Sequence, residues 1–167
     1  MNKCLIILVC SFQLLACSKR YCGFPPTEFP DTNSNVLMIK RIGVVDSTYG
    51  IMYGTILGRD TVGTQPCLDT LSLVRVSAQD TETGKNYWGD TDDLGHYEFW
   101  LPSARYNIEV QHFSYNKLVL KDAYFGSGEV ITFSAIVGQG TDSTIFQVQG
   151  DSAVVKLFPV AGDVEIK

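Results

Sequence analysis

The sequence has little positive charge and almost no histidine. Lysine and arginine total 13 against 18 aspartates and glutamates, which gives a formal net charge of −5, and there are two histidines. The only adjacent basic residues are Lys19-Arg20 and Lys40-Arg41. Because a protein that follows a phosphate backbone needs a continuous positive face, this balance excludes nucleic-acid binding.

No part of the sequence is long and apolar enough to cross a membrane as a helix. The longest apolar run, residues 4–16, is interrupted only by Ser11 and Gln13. Its 13 residues fall short of the roughly 20 that a spanning helix needs. The run follows Lys3 and ends at Ala16. A short positive start, an apolar run of this length and a small residue at its end are typical of a secretory signal peptide.

The end of this run, Leu14-Leu15-Ala16-Cys17, resembles the lipobox of bacterial lipoproteins. In that family the signal peptide is cleaved before the cysteine, which carries a thioether-linked diacylglycerol. The resemblance implies a signal peptide over residues 1–16 and a lipid anchor on Cys17 that holds the protein on the membrane. Ser18 stands where an aspartate would resemble an inner-membrane retention signal, so we expect an outer-membrane lipoprotein that faces the periplasm. The alternatives are a plain signal peptide and a buried N-terminal strand.

The five cysteines fall into three groups. Cys4 and Cys10 lie in the signal peptide, Cys17 is the expected anchor, and Cys22 and Cys67 remain. Two thiols in an oxidising compartment are candidates for a disulfide, although their spacing does not decide whether they pair. Metal binding has little support, because the sequence has two histidines and no Cys-x-x-Cys pair. We therefore expect no metal and no cofactor.

The mature chain divides into a tether and one domain. Residues 17–35 are rich in proline, threonine, serine and asparagine, which predicts a partly extended tether between the lipid and the domain. From residue 36 onward there is no helical period, and short runs of β-branched and aromatic residues recur about every 8–12 residues. The clearest alternation lies within 104–113.

This pattern predicts an all-β fold, a single β-sandwich over residues 36–167. The predicted strands are 36–42, 51–57, 73–78, 87–90, 95–100, 104–113, 115–120, 130–137, 144–149 and 153–158. The last two flank Gly150-Asp151-Ser152, so we expect a C-terminal β-hairpin.

Part of this domain, from residue 52 to about residue 137, carries a recurring set of glycine, tyrosine and proline positions. The segments that carry it are Gly54-Thr55-Ile56, Leu73-Val74-Arg75-Val76-Ser77-Ala78, Thr91-Asp92-Asp93-Leu94-Gly95-His96-Tyr97-Glu98-Phe99 and Leu101-Pro102-Ser103-Ala104-Arg105-Tyr106-Asn107-Ile108-Glu109-Val110. They resemble the carboxypeptidase regulatory-like domain, a small sandwich related to the transthyretin (prealbumin) fold. The resemblance implies a non-catalytic binding or spacer module. The segment 61–70, which contains Cys67, departs from the family pattern.

The same positions have a physical interpretation. Gly95 is expected to allow a tight turn between two strands. Tyr97, Phe99, Tyr106 and Ile108 are expected to meet across strands as one aromatic and aliphatic layer of the core.

An acidic stretch at 89–95 is the nearest match to a calcium-binding loop. Asp90, Asp92 and Gly95 fit the loop pattern, but Leu94 and Leu101 stand where it requires an oxygen ligand. The stretch is better interpreted as a turn.

The residues for catalysis are sparse. A Ser-His-Asp arrangement would need His96 or His112, and there is no Gly-x-Ser-x-Gly motif. His112 lies on the apolar face of its predicted strand, so we expect a half-buried structural histidine. Paired carboxylates for glycoside hydrolysis are compatible with the composition, but a sandwich of this size seldom has the necessary cleft. We expect a protein that is not an enzyme.

Trp88 and Trp100 are the candidate ligand contacts. Trp100 lies on the face of its predicted strand opposite Tyr97 and Phe99. Exposed aromatic side chains of a sandwich stack on sugars or anchor a protein partner, whereas buried ones fill its ends. The sequence thus favours a module that docks another envelope protein through a sheet edge or an aromatic patch. The alternative is a glycan-binding lipoprotein with Trp88 or Trp100 as its platform.

Overall fold

The computed structural model describes residues 20–22, 34–62, 65–149 and 156–159, and this part of the chain consists of strands and turns without a helix. The strands are β1 (Arg20–Cys22), β2 (Asn35–Val44), β3 (Tyr49–Val62), β4 (Gln65–Thr70), β5 (Arg75–Asp80), β6 (Asn86–Asp90), β7 (His96–Pro102), β8 (Ala104–His112), β9 (Tyr115–Phe125), β10 (Glu129–Gly138), β11 (Ser143–Gln149) and β12 (Lys156–Pro159). They form two six-stranded sheets. The predicted all-β sandwich is confirmed.

The first sheet is built around the long strand β3. Its strand order is β1-β4-β3-β10-β2, and β7 also pairs with β3. One edge of β3 pairs with β7 over Tyr49–Thr55 and then with β4 over Leu57–Val62. The other edge pairs in parallel with β10, which in turn pairs with β2. Among the described strands, β2 is therefore the last one on its side of the sheet.

The second sheet has the order β12-β11-β9-β8-β5-β6. Since β9 belongs to this sheet, β10 to the first and β11 to this one again, the chain crosses to the first sheet at β10 and returns at β11. The segment after Gly138 therefore joins the sandwich, with β11 parallel to β9 and antiparallel to β12. The predicted turn at 150–152 lies outside the described residues, as do the signal peptide and Cys17.

The core lies between the two sheets. Tyr97, Phe99, Tyr106 and Ile108 are all buried in it, as expected. The first two lie on β7 and the last two on β8, which belong to different sheets. They line the core from its two sides, because the bend at Ser103 carries the chain from one sheet to the other.

Two strands were not predicted from the sequence. β4 lies in the segment that departs from the family pattern, and it forms an antiparallel pair with the end of β3. β1 lies within the predicted tether 17–35 and pairs with β4. Four residues of that tether, the three of β1 and Asn35 at the start of β2, are therefore part of the first sheet. The expected tight turn at Gly95 is present, since its φ is +75° and a Cβ atom would come 2.6 Å from the carbonyl oxygen of Ile56.

Among the described residues there is no helix that is long and apolar enough to cross a membrane.

Candidate functional site

The cysteine of β4 forms a covalent link. Cys67 is disulfide-bonded and only 1% exposed. Cys22 lies directly opposite Cys67 in the pairing of β1 with β4. Directly opposite residues of antiparallel strands have Cα atoms about 4.5–5.5 Å apart, within the range of about 4.4–6.8 Å that a disulfide needs. The bridge between these two cysteines stays a prediction, and the strand register supports it.

Trp100 lies on the outer face of the first sheet. Along β7, alternate side chains point inward and outward, and Trp100 shares the outer face with His96 and Glu98. Its side chain is 50% exposed. In the pairing with β3, Trp100 lies opposite Ile51 and Glu98 opposite Tyr53. The described residues leave half of the tryptophan accessible to a ligand.

Trp88 lies on the outer face of the second sheet. It is opposite Ser77 in the pairing of β6 with β5, and it is 58% exposed. Trp88 and Ser77 line a shallow depression of about 320 Å³ together with Arg75, Asn86 and Glu109. Trp88 and Trp100 therefore belong to different faces, and the structure does not bring the two predicted contacts together.

A larger groove crosses the outer face of the first sheet beside Trp100, and we call it the outer groove. Its volume is about 580 Å³. The residues that line it are Met38, Tyr53, Gly54, Thr55, Asp90, Asp92, His96, Tyr97, Glu98, Thr132 and Ser134. One strand register runs from Glu98 through Tyr53 and Thr132 to Lys40, so four neighbouring strands contribute. The groove thus combines an aromatic ring with several hydroxyl and carboxylate groups.

The carboxylates that suggested a calcium loop have structural partners. Asp92 Oδ1 accepts hydrogen bonds from the backbone N–H groups of His96 at 2.8 Å and Leu94 at 2.9 Å. The bond from His96 holds the pKa of Asp92 below its ordinary value. Asp90 receives two hydrogen bonds from Arg75, at 3.0 and 3.1 Å. Among the described residues no group of three or more metal-ligating side chains occurs. The turn accounts for Asp92, and the cross-strand pair with Arg75 accounts for Asp90.

His112 is half-buried at the end of β8, as expected. Its ring lies 4.3 Å from that of Phe113 and 5.2 Å from that of Tyr115, measured between centroids. Its Nδ1 accepts a hydrogen bond of 3.3 Å from the backbone N–H of Ser114. Burial lowers the pKa of His112. These contacts describe a packed side chain at a strand end.

The strand β2 presents a surface that the sequence analysis did not single out. Four of its apolar side chains are exposed, namely Leu37, Met38, Ile42 and Val44. Val44 is the most accessible of them at 71%. The available signal was the run of residues 36–39, in which four apolar residues follow one another without alternation. A run of this kind is typical of a strand covered on both faces, yet β2 is an edge strand.

No protein-family model matches this chain, and no curated protein matches it in sequence. Its function is therefore inferred from its own residues.

Proposed function

We propose that this chain is a lipid-anchored protein of the bacterial cell envelope, whose β-sandwich docks another envelope protein and catalyses no reaction. The observation that carries the proposal is the concentration of exposed apolar side chains on the first sheet. Of the eleven large exposed apolar residues in the described part of the chain, six lie on its strands. These six are Leu37, Met38, Ile42, Val44, Tyr49 and Trp100.

The register of the sheet extends the apolar surface beyond Trp100. Trp100 lies opposite Ile51 on β3, Ile51 opposite Val130 on β10, and Val130 opposite Gly43 on β2. An apolar row of Trp100, Ile51 and Val130 therefore crosses three strands and ends at Gly43, the chain neighbour of the exposed Ile42 and Val44. Single exposed apolar residues are normal on a soluble protein, whereas adjacent ones mark an interaction surface. This contrast supports docking of a protein partner.

The predicted anchor suits such a role. Acyl chains on Cys17 would hold the domain at a membrane surface. Confinement next to a partner raises the effective concentration of both and strengthens a weak contact without any additional interaction. The lipobox resemblance supports the envelope location, with the domain facing the periplasm.

The docking proposal is tested in cells with a photo-crosslinking amino acid placed at Trp100 or at Met38. The matched control places it at Phe113, which is 90% exposed on a turn of the second sheet. We expect one abundant adduct with the same envelope protein from both first-sheet positions and none from Phe113. If no adduct forms, or all three positions give the same mixture, docking through the first sheet is wrong.

The anchor is tested separately. Metabolic labelling with an alkyne analogue of palmitate should mark the wild-type chain and leave the Cys17→Ala variant unlabelled. Labelling that persists in the variant would contradict lipidation at this cysteine. It would not affect the docking proposal, which the crosslinking experiment tests separately.

A second function, glycan binding, is favoured by the outer groove. Its aromatic and hydroxyl side chains lie beside a half-exposed tryptophan, and stacking on such a ring with hydrogen bonds around it is chemistry that suits a sugar. A glycan array on the protein discriminates the two functions. Under the glycan hypothesis Trp100→Ala abolishes binding, while Trp88→Ala, which changes the opposite face, leaves it intact. Equal affinity in wild type and Trp100→Ala removes Trp100 from that role.

A further inference from the structure

The free edge of β2 is a backbone surface as well as an apolar one. β2 pairs with β10 through eight residue pairs, and the described part of the chain places no strand on its other edge. The outward N–H and C=O groups of such an edge are a template for another strand. An incoming extended segment can satisfy them with main-chain hydrogen bonds.

Natural edge strands are usually protected, and β2 is protected only in part. It is ten residues long and contains no proline, although short length and proline are common protections. Its pairing shifts register beside Leu37 and beside Ile42. Between these two bulges, Met38–Arg41 pairs regularly with β10. This stretch is the part of the edge that a straight strand can follow.

The charge on this stretch is positive. β2 contains Lys40 and Arg41 and no acidic residue. Arg41 forms an ion pair of 2.6 Å with Glu129. Lys40 is exposed on the outer face, and among the described residues it has no ion-pair partner. The charge that is open to a partner is therefore the ammonium group of Lys40, on a protein whose net charge is −5.

This charge argues against a second copy of the chain as the occupant. A two-fold antiparallel pairing centred on Lys40 would bring the Lys40 side chains of the two copies directly opposite each other. Like charges that face each other across strands are destabilising, whereas opposite charges stabilise the pair. The complementary occupant is an extended apolar strand with a carboxylate opposite Lys40.

Resting on the proposed docking function, we propose that the partner binds by adding such an acidic, extended strand to the free edge of β2 at Met38–Arg41. Main-chain hydrogen bonds supply the register, and the exposed apolar side chains of β2 supply the contact area. Lys40 selects the acidic strand.

The test uses the full chain and two synthetic peptides as probes. Each is a short, end-capped peptide of alternating threonine and valine, with one central glutamate in the first and lysine in the second. Backbone amide hydrogen exchange is measured by NMR for β2. We expect the glutamate peptide to slow exchange within Met38–Arg41 and to bind about fivefold more tightly than the lysine peptide, since a repulsive cross-strand pair becomes an attractive one.

Charge reversal provides the matched control. Lys40→Glu should invert the preference between the two peptides, while Lys121→Glu on the second sheet should leave it unchanged. Both side chains are exposed, so both variants are expected to keep the wild-type Tm. Absence of protection at β2, or the same peptide preference in Lys40→Glu, overturns the inference. Concentration-dependent protection of β2 without peptide identifies a second copy as the occupant and also overturns it.

The failure of this inference is distinguishable from that of docking. Adducts at Trp100 and Met38 together with an unprotected β2 would leave docking in place and exclude strand addition. Absence of adducts at both positions would overturn docking itself.

Discussion

The hydroxyl of Tyr97 donates a hydrogen bond of 2.7 Å to the backbone carbonyl of Phe133. Both residues are buried, and the bond joins β7 to β10 across β3. Phe133 and Ser134 make no ladder pair with β3, which pairs with β10 on either side of them. In this gap Ser134 Oγ accepts the N–H of Thr55 at 3.1 Å. Two side chains thus replace the missing backbone hydrogen bonds.

Tyr97→Phe should therefore destabilise the protein. The variant leaves the Phe133 carbonyl buried without its donor, which costs about 1–3 kcal/mol. Urea unfolding measures the loss. The control is Tyr49→Phe, since this tyrosine is 48% exposed. Water solvates its side chain, so a smaller effect is expected there, and equal losses would contradict the argument.

Thr91→Val tests the turn between β6 and β7. Thr91 is only 3% exposed. Its Oγ1 donates a hydrogen bond of 2.6 Å to the carbonyl of Leu71 and accepts one of 3.0 Å from the N–H of Val74. Valine keeps the shape and removes both bonds, so we expect a loss of about 1–3 kcal/mol in the free energy of unfolding. Thr81→Val, which removes an exposed hydroxyl bond to Arg105, should change stability by less than about 0.5 kcal/mol. A stable Thr91→Val protein would show that these two bonds contribute little.

Reduction of the disulfide at Cys67 should destabilise the first sheet. If Cys22 is the partner, the bridge closes a loop of about 45 residues, and its removal costs about 3–4 kcal/mol in the chain-entropy model. Unfolding of wild type and Cys67→Ser with and without reductant measures this. The reductant should affect only the wild type. Peptide mapping of the oxidised protein identifies the partner, and a link to a cysteine other than Cys22 would contradict the pairing.

Stability should fall in mild acid because of His112. Burial lowers its pKa in the folded protein from the ordinary 6.5, so the unfolded state takes up the proton first. Stability is therefore complete above pH 6.5, and it falls as the pH drops from there to the lowered pKa. His112→Gln should remove this part of the pH dependence between pH 7.5 and the onset of carboxylate titration. The Arg75–Asp90 ion pair lines the same depression as His112. Parallel Tm curves for the two proteins would exclude His112 as the cause.

Several elements of the fold were predictable from local pattern. The alternation of β8 follows from the two-residue period of its side chains. The turn at Gly95 follows from the ability of glycine to adopt a positive φ. Both signals lie within a few neighbouring residues of the sequence. β1 and β4 carried no such signal. β1 is held by hydrogen bonds to the backbone of β4, which is distant in sequence, and a backbone contributes nothing to the residue pattern. β4 follows β3 directly, but the residues of β4 do not alternate between polar and apolar.

The candidate site shows the same division. That Trp100 points away from Tyr97 and Phe99 follows from alternation along one strand. That Trp88 lies on the other face of the sandwich depends on which sheet β6 joins. The outer groove combines residues from four strands of the first sheet with residues from β6 and the turn that follows β6. The exposure of Met38 depends on the position of β2 at the end of the described sheet.

By itself the sequence determined the all-β class, the acidic charge, the candidate lipid anchor and the inward or outward direction of the side chains on β5, β7 and β8. These properties depend on composition and on the two-residue period of a strand. Only the tertiary structure decided which strands are neighbours, which edge remains free and which exposed residues form one surface. Strand order is set by packing and backbone pairing between distant segments, so no local pattern encodes it.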